Sequence, residues 1–356
     1  MRQKIKLIST VVLCMLMVVA LIGCTSTGSD PKGGSDVNTA SENGGEKLQE
    51  KYTIGFIAGD IGHTFHIRTW KTVKVRAAEL GMDVVVLDSK RDLATESSNV
   101  DTLLSMNVDA VMIMPCNMEG SVPAFNKVIE RGIPVLAVVD QAAGMTYVGS
   151  DLVGGGGAEI SFGCLTEDLG GQGNVVYIKG GAGVEIQRLR TEGVYRVMDK
   201  NPDLKIVFEQ HGDWARTSGA TLMQDALAAY PNKGDINAVF ADDDVMSLGA
   251  LEVIKAAGRL GEPILIYGCC GDGGFLEAIK SGEASMTAFQ NGELIGCKAT
   301  ETIYRMLKGE KVDSVVNVDW DVITKDNVQA YLDRWITDEG YYTILDEYRT
   351  DMSYLD

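Results

Sequence analysis

Beginning at Tyr52, short β-branched runs alternate with stretches whose apolar residues recur near every 3.6 positions, and the alternation runs through twice. Residues 53–58, 83–87, 110–114 and 134–139 read as strands, with helical spacing between them, as in Val73, Ala77 and Leu80. A strand–helix–strand rhythm makes a parallel sheet covered by helices on both faces. Val84-Val85-Val86-Leu87 has the unbroken apolar character such a strand needs. The second set has strands at 174–178, 205–209, 238–240 and 264–267, with helices near 184–199, 217–229, 243–257 and 272–281. The expectation is an α/β protein of two doubly wound parallel-sheet lobes. A late strand at 286–289 precedes a helix near 293–308 that returns to the first lobe, and the chain from about 319 goes back to the second. The lobes are expected to comprise 51–153 with 290–318, and 154–289 with 319–356, joined by a hinge of several strands. Val328, Tyr331, Leu332 and Trp335 keep helical spacing, so the tail is expected to pack on a lobe.

The segment before this pattern has a different character. Arg2, Lys4 and Lys6 precede an apolar run from Val11 to Ile22, long enough for a signal-peptide core and short for a bilayer span. It ends in Leu21-Ile22-Gly23-Cys24, which resembles a bacterial lipobox, so residues 1–23 read as a lipoprotein signal peptide and Cys24 as the lipidated first residue of the mature chain. Residues 24–50 are rich in Gly, Ser, Thr, Asn and Asp, a flexible tether with a root-mean-square reach of roughly 28 Å. The expected location is extracytoplasmic, with a lipid as the sole membrane attachment. A formal charge of −18, more negative still without the signal, excludes nucleic acid and anionic membrane surfaces as natural partners. Of seven cysteines, the five left after Cys14 and Cys24 are scattered apart from one vicinal pair, which is no disulfide framework.

In open parallel sheets ligands bind beyond the carboxyl ends of the strands, so two facing lobes line one cleft with those loops. The loops are 59–65, 115–117, 140–141, 180–190, 211–214, 242–244, 268–271 and 290–291. All three histidines of the chain, His63, His66 and His211, fall in or directly beside these loops.

The loops and their flanks resemble the type I periplasmic sugar-binding proteins over about residues 52 to 330. The signposts are collinear: Leu80-Gly81, Val85-Val86-Leu87-Asp88-Ser89, Gly132-Ile133-Pro134-Val135, Asp140, Gly149-Ser150-Asp151, Arg188-Leu189-Arg190-Thr191-Glu192-Gly193, Ala238-Val239-Phe240-Ala241 and Asp244-Val245-Met246-Ser247-Leu248-Gly249-Ala250. The resemblance implies an extracytoplasmic receptor that feeds an ABC permease. By position against the ribose-binding members, it implies ligand contacts at His63, Phe65, His66, Asp140, Gln141, Arg190, Trp214, Asp243 and Gln290. The family's aspartate in a Gly-Phe-Asp-Gly motif falls on Cys270, and an asparagine after the third strand falls on Met114, with Asn117 nearby. Those two departures separate this site from one built for ribose.

These residue types suit a polyol. Carboxylates accept hydroxyl protons, guanidinium and amide groups donate to the same oxygens, and Phe65 and Trp214 can cover the C–H faces of a ring. One aspartate of Asp242-Asp243-Asp244 is also a natural helix N-cap. His63, His66, Cys269 and Cys270 raise a metal site, but the ligands lie on opposing lobes and vicinal cysteines do not readily share an ion, so no metal or other cofactor is expected. Gly180-Gly181-Ala182-Gly183 lacks the spacing of a nucleotide loop, and no nucleophile elbow is present. The expectation is a monomeric binding protein for a monosaccharide or related polyol that delivers it to an ABC importer. The alternatives are a receptor for a signalling furanose or cyclitol, and an enzyme using the cleft His and Cys.

Overall fold

The computed structural model describes residues 51–150 and 155–335. The signal peptide, Cys24, the tether, Asp151 and the tail beyond residue 335 lie outside the described residues. In chain order the elements are β1 (Thr53–Ala58), α1 (Thr64–Glu79), β2 (Asp83–Asp88), α2 (Leu93–Ser105), β3 (Ala110–Ile113), α3 (Val122–Glu130), β4 (Val135–Val138), β5 (Tyr147–Gly149), α4 (Gly156–Asp168), β6 (Gly173–Lys179) and α5 (Glu185–Met198). They continue as β7 (Leu204–His211), α6 (Arg216–Ala229), β8 (Ala238–Ala241), α7 (Asp244–Ala256), β9 (Leu265–Cys269), α8 (Gly273–Ser281), β10 (Met286–Gln290), α9 (Gly292–Leu307), β11 (Val315–Asn317), β12 (Trp320–Thr324) and α10 (Val328–Trp335).

The strands form two sheets of six, ordered β11-β5-β4-β3-β1-β2 and β12-β10-β9-β8-β6-β7. Pairing is parallel except between β10 and β12, which run antiparallel. The chain passes from the first sheet to the second between β5 and β6, returns between β10 and β11, and crosses again between β11 and β12. Three strands, β5, β11 and β12, were not anticipated as strands from the sequence; at three residues each, β5 and β11 carry too little pattern to stand out from loop.

Alternation along each central strand splits every lobe into two cores. Ile54, Phe56 and Ala58 of β1 pack with α1 and α9, while Ile57 joins the cluster of α2 and α3. In the second sheet Val176 and Ile178 face α6, α7 and α8, and Val175 and Tyr177 face α4 and α5. Each fully buried side chain of this size contributes about 1.5–3 kcal/mol, so two-sided coverage holds the sheets. The tail helix α10 buries Val328 and Leu332 in the second lobe's core. Helix α9 docks on α1, where the buried Arg76 guanidinium pairs with Glu301 at 2.9 Å. Among the described residues no helix is long and apolar enough to cross a membrane.

Helices α6 and α7 approach so closely that a Cβ on Gly249 would stand 2.1 Å from the carbonyl oxygen of Arg216. Backbone cannot yield as a side-chain tip can. Gly249→Ala is therefore expected to destabilise the protein by about 1–3 kcal/mol through overpacking; an unchanged urea midpoint would contradict this reading of the contact.

Candidate ligand-binding site

The carboxyl ends of both sheets face one cavity of about 140 Å³. Its lining includes every residue singled out by the resemblance: His63, Phe65, His66, Asn117, Asp140, Gln141, Arg190, Trp214, Asp243, Cys270 and Gln290. His211 is not among them. Its Nδ1 lies 2.7 Å from the carbonyl oxygen of Gly180, because β7 is an edge strand that extends to residue 211, and the turn beyond it carries Trp214 inward instead. Arg91 lines the cavity and was missed. It sits in the loop after β2, which the same strand-end rule covers but which had been left out.

Backbone strain gathers here. Of seven described non-glycine residues with positive φ, six lie in strand-end loops: Lys90, Arg91, Val139, Asp213, Trp214 and Cys270. For β-branched Val139, at φ 71°, this is a costly conformation. It is held by a hydrogen bond from Val139 N to Val148 O and by the Tyr147 hydroxyl, 2.8 Å from Val139 O, and it places Asp140 at the cavity. The Trp214 indole lies flat over the 180–181 turn, where a Cβ on Gly180 would meet the ring at 2.0 Å.

Arg190 is 1% exposed. It donates through Nη1 to the backbone carbonyl of Asp242 and through Nη2 to Cys270 Sγ at 3.5 Å, and its Nε has no hydrogen-bond partner among the described residues. The Asp242 carboxylate is held in place by Gln187 Nε2 at 2.6 Å, the Tyr177 hydroxyl at 3.0 Å and the Gly180 N–H at 3.3 Å. Asp140 Oδ1 and Gln290 Nε2 are likewise buried without a hydrogen-bond partner among the described residues. Burial pushes the Asp140 carboxyl up to about 6, against the pull of Arg190 and Arg91. Cys270, in place of the family's carboxylate, is held below the usual thiol range by a hydrogen bond with Cys269 and by Arg190, against burial. Cys269 itself packs in the core between α4 and the sheet.

Asp243 is the N-cap of α7: its Oδ1 accepts from Val245 N at 2.8 Å. Its other oxygen faces His63 of the opposite lobe, Oδ2 to Nε2 at 3.5 Å, a charge contact that falls short of a well-formed hydrogen bond. Burial works to lower the His63 pKa, but Asp243 outweighs it with help from Cys270 and against Arg91, so the net shift is upward. His66 shifts the other way, well down, through burial and the neighbouring His63 and Arg91. Its Nδ1 stands 2.9 Å from Asp60 N and 3.1 Å from Asp60 O. Asn117 is largely engaged already: Oδ1 accepts from Gly120 N at 2.8 Å, and Nδ2 reaches across the cleft to Gly183 O at 3.3 Å.

A cleft between two α/β lobes, lined from both sides by polar groups with no protein partner, defines a protein that closes on a small solute. The periplasmic binding protein domain model matches residues 54–311, and the chain belongs to that family. It is 33% identical over 278 residues to the ribose import binding protein of Bacillus subtilis, covering 77% of this chain and 87% of that one. It is 30% identical over 260 residues to the xylitol-binding protein of Mycolicibacterium smegmatis, covering 72% and 73%. An ABC transporter solute-binding protein from Bacillus halodurans, solved with myo-inositol bound, superposes with a TM-score of 0.73 at 25% identity, covering 79% of this chain and 97% of that one. All three are named as binding proteins, and the family works outside the cytoplasm.

The raised His63 pKa stabilises the closed lobes below the unperturbed value of 6.5, and that contribution is lost as pH rises through the folded-state pKa. His63→Asn should therefore lower the melting temperature at about pH 5.5 and have little effect at about pH 9. Equal losses at both pH values would show that the His63–Asp243 contact does not act through charge.

Proposed function

We propose that this chain is the substrate receptor of an ABC importer: it captures one monosaccharide or related polyol between its lobes and hands it to a permease. The reading rests on one observation. Buried polar atoms of Asp140, Arg190, Gln290 and His63, drawn from four separate segments and both lobes, reach a common cavity without a hydrogen-bond partner among the described residues. Leaving such groups unpaired costs about 1–3 kcal/mol each. A ring of hydroxyls would satisfy them together, accepting from Arg190, Gln290 and His63 and donating to Asp140. At ~10–15 Å³ per water-sized group, the cavity holds on the order of ten non-hydrogen atoms, the size of one sugar ring. Phe65 and Trp214 would cover its faces.

Closure follows from a ligand that binds the shut form better than the open one. Relatives named for ribose import favour transport over signalling. The receptor is expected to act as a monomer and to leave its ligand chemically unchanged.

Thermal shift against a panel of pentoses, hexoses and cyclitols should give a stabilisation that grows as RT ln(1 + [L]/Kd) for at least one of them. Asp140→Asn should weaken that binding by about 1.5–3 kcal/mol, roughly 10- to 100-fold in Kd. The same variant should melt no lower than wild type without ligand above about pH 6, since the raised pKa means that burying the ionised form works against folding there. A flat panel, or an unaltered Kd in Asp140→Asn, would count against the reading.

The proposal includes anchoring through a lipid on Cys24. Cys24→Ala is expected to move the protein from the membrane fraction to the soluble fraction of its host, or to leave it unprocessed. Retention with normal processing would argue for a cleaved, secreted form.

A further inference from the structure

Polar and apolar groups are not mixed evenly around the cavity. Asn117 Nδ2 meets Gly183 O at 3.3 Å across the cleft, bringing the loop after β3 against the start of α5. On that side the lining is Met114, Cys116 and Met118 from one lobe and Val184, Ile186 and Leu189 from the other, interrupted by Asn117, whose Oδ1 accepts from Glu119 N and Gly120 N, and by Glu185, whose carboxylate accepts from Arg188 Nε at 2.9 Å. Met114 is rooted in its lobe's core. The other five belong to none of the hydrophobic clusters and are half-buried. They stand outside both cores with the cavity as their apolar surroundings. Burial pushes the Cys116 thiol up to about 12, so it stays neutral and behaves as a small apolar group. Ile186, Leu189 and Arg190 follow helical spacing on α5, so one helix offers an apolar face and a guanidinium to the same space.

We infer that the solute is a deoxy- or alkylthio-sugar: one edge carries hydroxyls to Asp140, Arg190 and Gln290, and the other carries a methyl or methylthio group against this wall. The inference rests on the polyol reading above and narrows it. A hydroxyl pressed onto Met118, Ile186 and Leu189 finds no acceptor there and gives up its water. A methyl in the same place buries apolar surface on both sides. Met114 strengthens the asymmetry by placing weak hydrogen-bonding sulfur where the resemblance implies an amide.

The test is calorimetric titration of the chain lacking residues 1–23 with matched sugars of one chirality: fucose with galactose, rhamnose with mannose, and methylthioribose with ribose. In at least one pair the deoxy or thio member should bind about tenfold tighter or more, the discrimination an apolar pocket gives per methyl-sized group. Met114→Asn should shift that pair's ratio toward the hydroxylated member. Ile186→Ser, at a half-buried position outside both cores, serves the same purpose should Met114→Asn fold poorly. If the hydroxylated member of every binding pair is equal or better, the apolar-wall inference is overturned while the polyol receptor stands. An unchanged ratio in both variants overturns it as well. If no member of any pair binds, the monosaccharide reading itself fails and the inference goes with it.

Discussion

A guanidinium almost wholly withdrawn from water, with no carboxylate among the described residues bonded to it, sits at the centre of this structure. Arg190 keeps its charge in any protein environment, so its burial is tolerable only with compensating acceptors. Within the chain it finds a backbone carbonyl and a thiol, and Nε is left over. Asp140 is the converse, a buried carboxyl raised to about 6 with one oxygen unpartnered. The two belong to different lobes, and a molecule lying between them would satisfy both. Binding energy and domain closure are in this sense the same event.

The surrounding fold keeps these groups from satisfying one another. Asp242, the nearest alternative partner for Arg190, already accepts from Tyr177, Gln187 and the Gly180 N–H. Asp243 is occupied at one oxygen by the start of α7. Strained backbone at Val139, Trp214 and Cys270 fixes side-chain direction at three strand ends, and two parallel sheets with doubled cores hold those ends still. On the hinge side, Arg68 of α1 donates to the carbonyls of Cys270 at 3.1 Å and Gln290 at 3.2 Å, so the first lobe grips the backbone that presents two cavity residues of the second.

Much of this was legible in the sequence, because unbroken apolar strands and helical spacing report two-sided burial directly, and strand ends then locate the cleft. β1 was read to the residue, and α5 to α8 within a residue or two at each end. What escaped had physical causes. β5 and β11 are too short to show a period. Arg91 lies in the loop after β2, which is not among the loops assigned to the cleft, and its positive φ leaves no mark on residue type. His211 was placed in the cleft by loop membership, whereas the edge position of β7 turns it to Gly180. The double duty of Asp243, cap on one oxygen and interlobe contact on the other, depends on tertiary geometry that no local pattern encodes.

The most direct measurement is a crystal structure of the protein with the solute it retains or selects from a sugar panel. The account predicts one ring in the interlobe cavity, with Asp140 Oδ1, Arg190 Nε and Gln290 Nε2 each within hydrogen-bond distance of it. A solute bound elsewhere, or bound in the cleft with those three atoms still unpartnered, would contradict it.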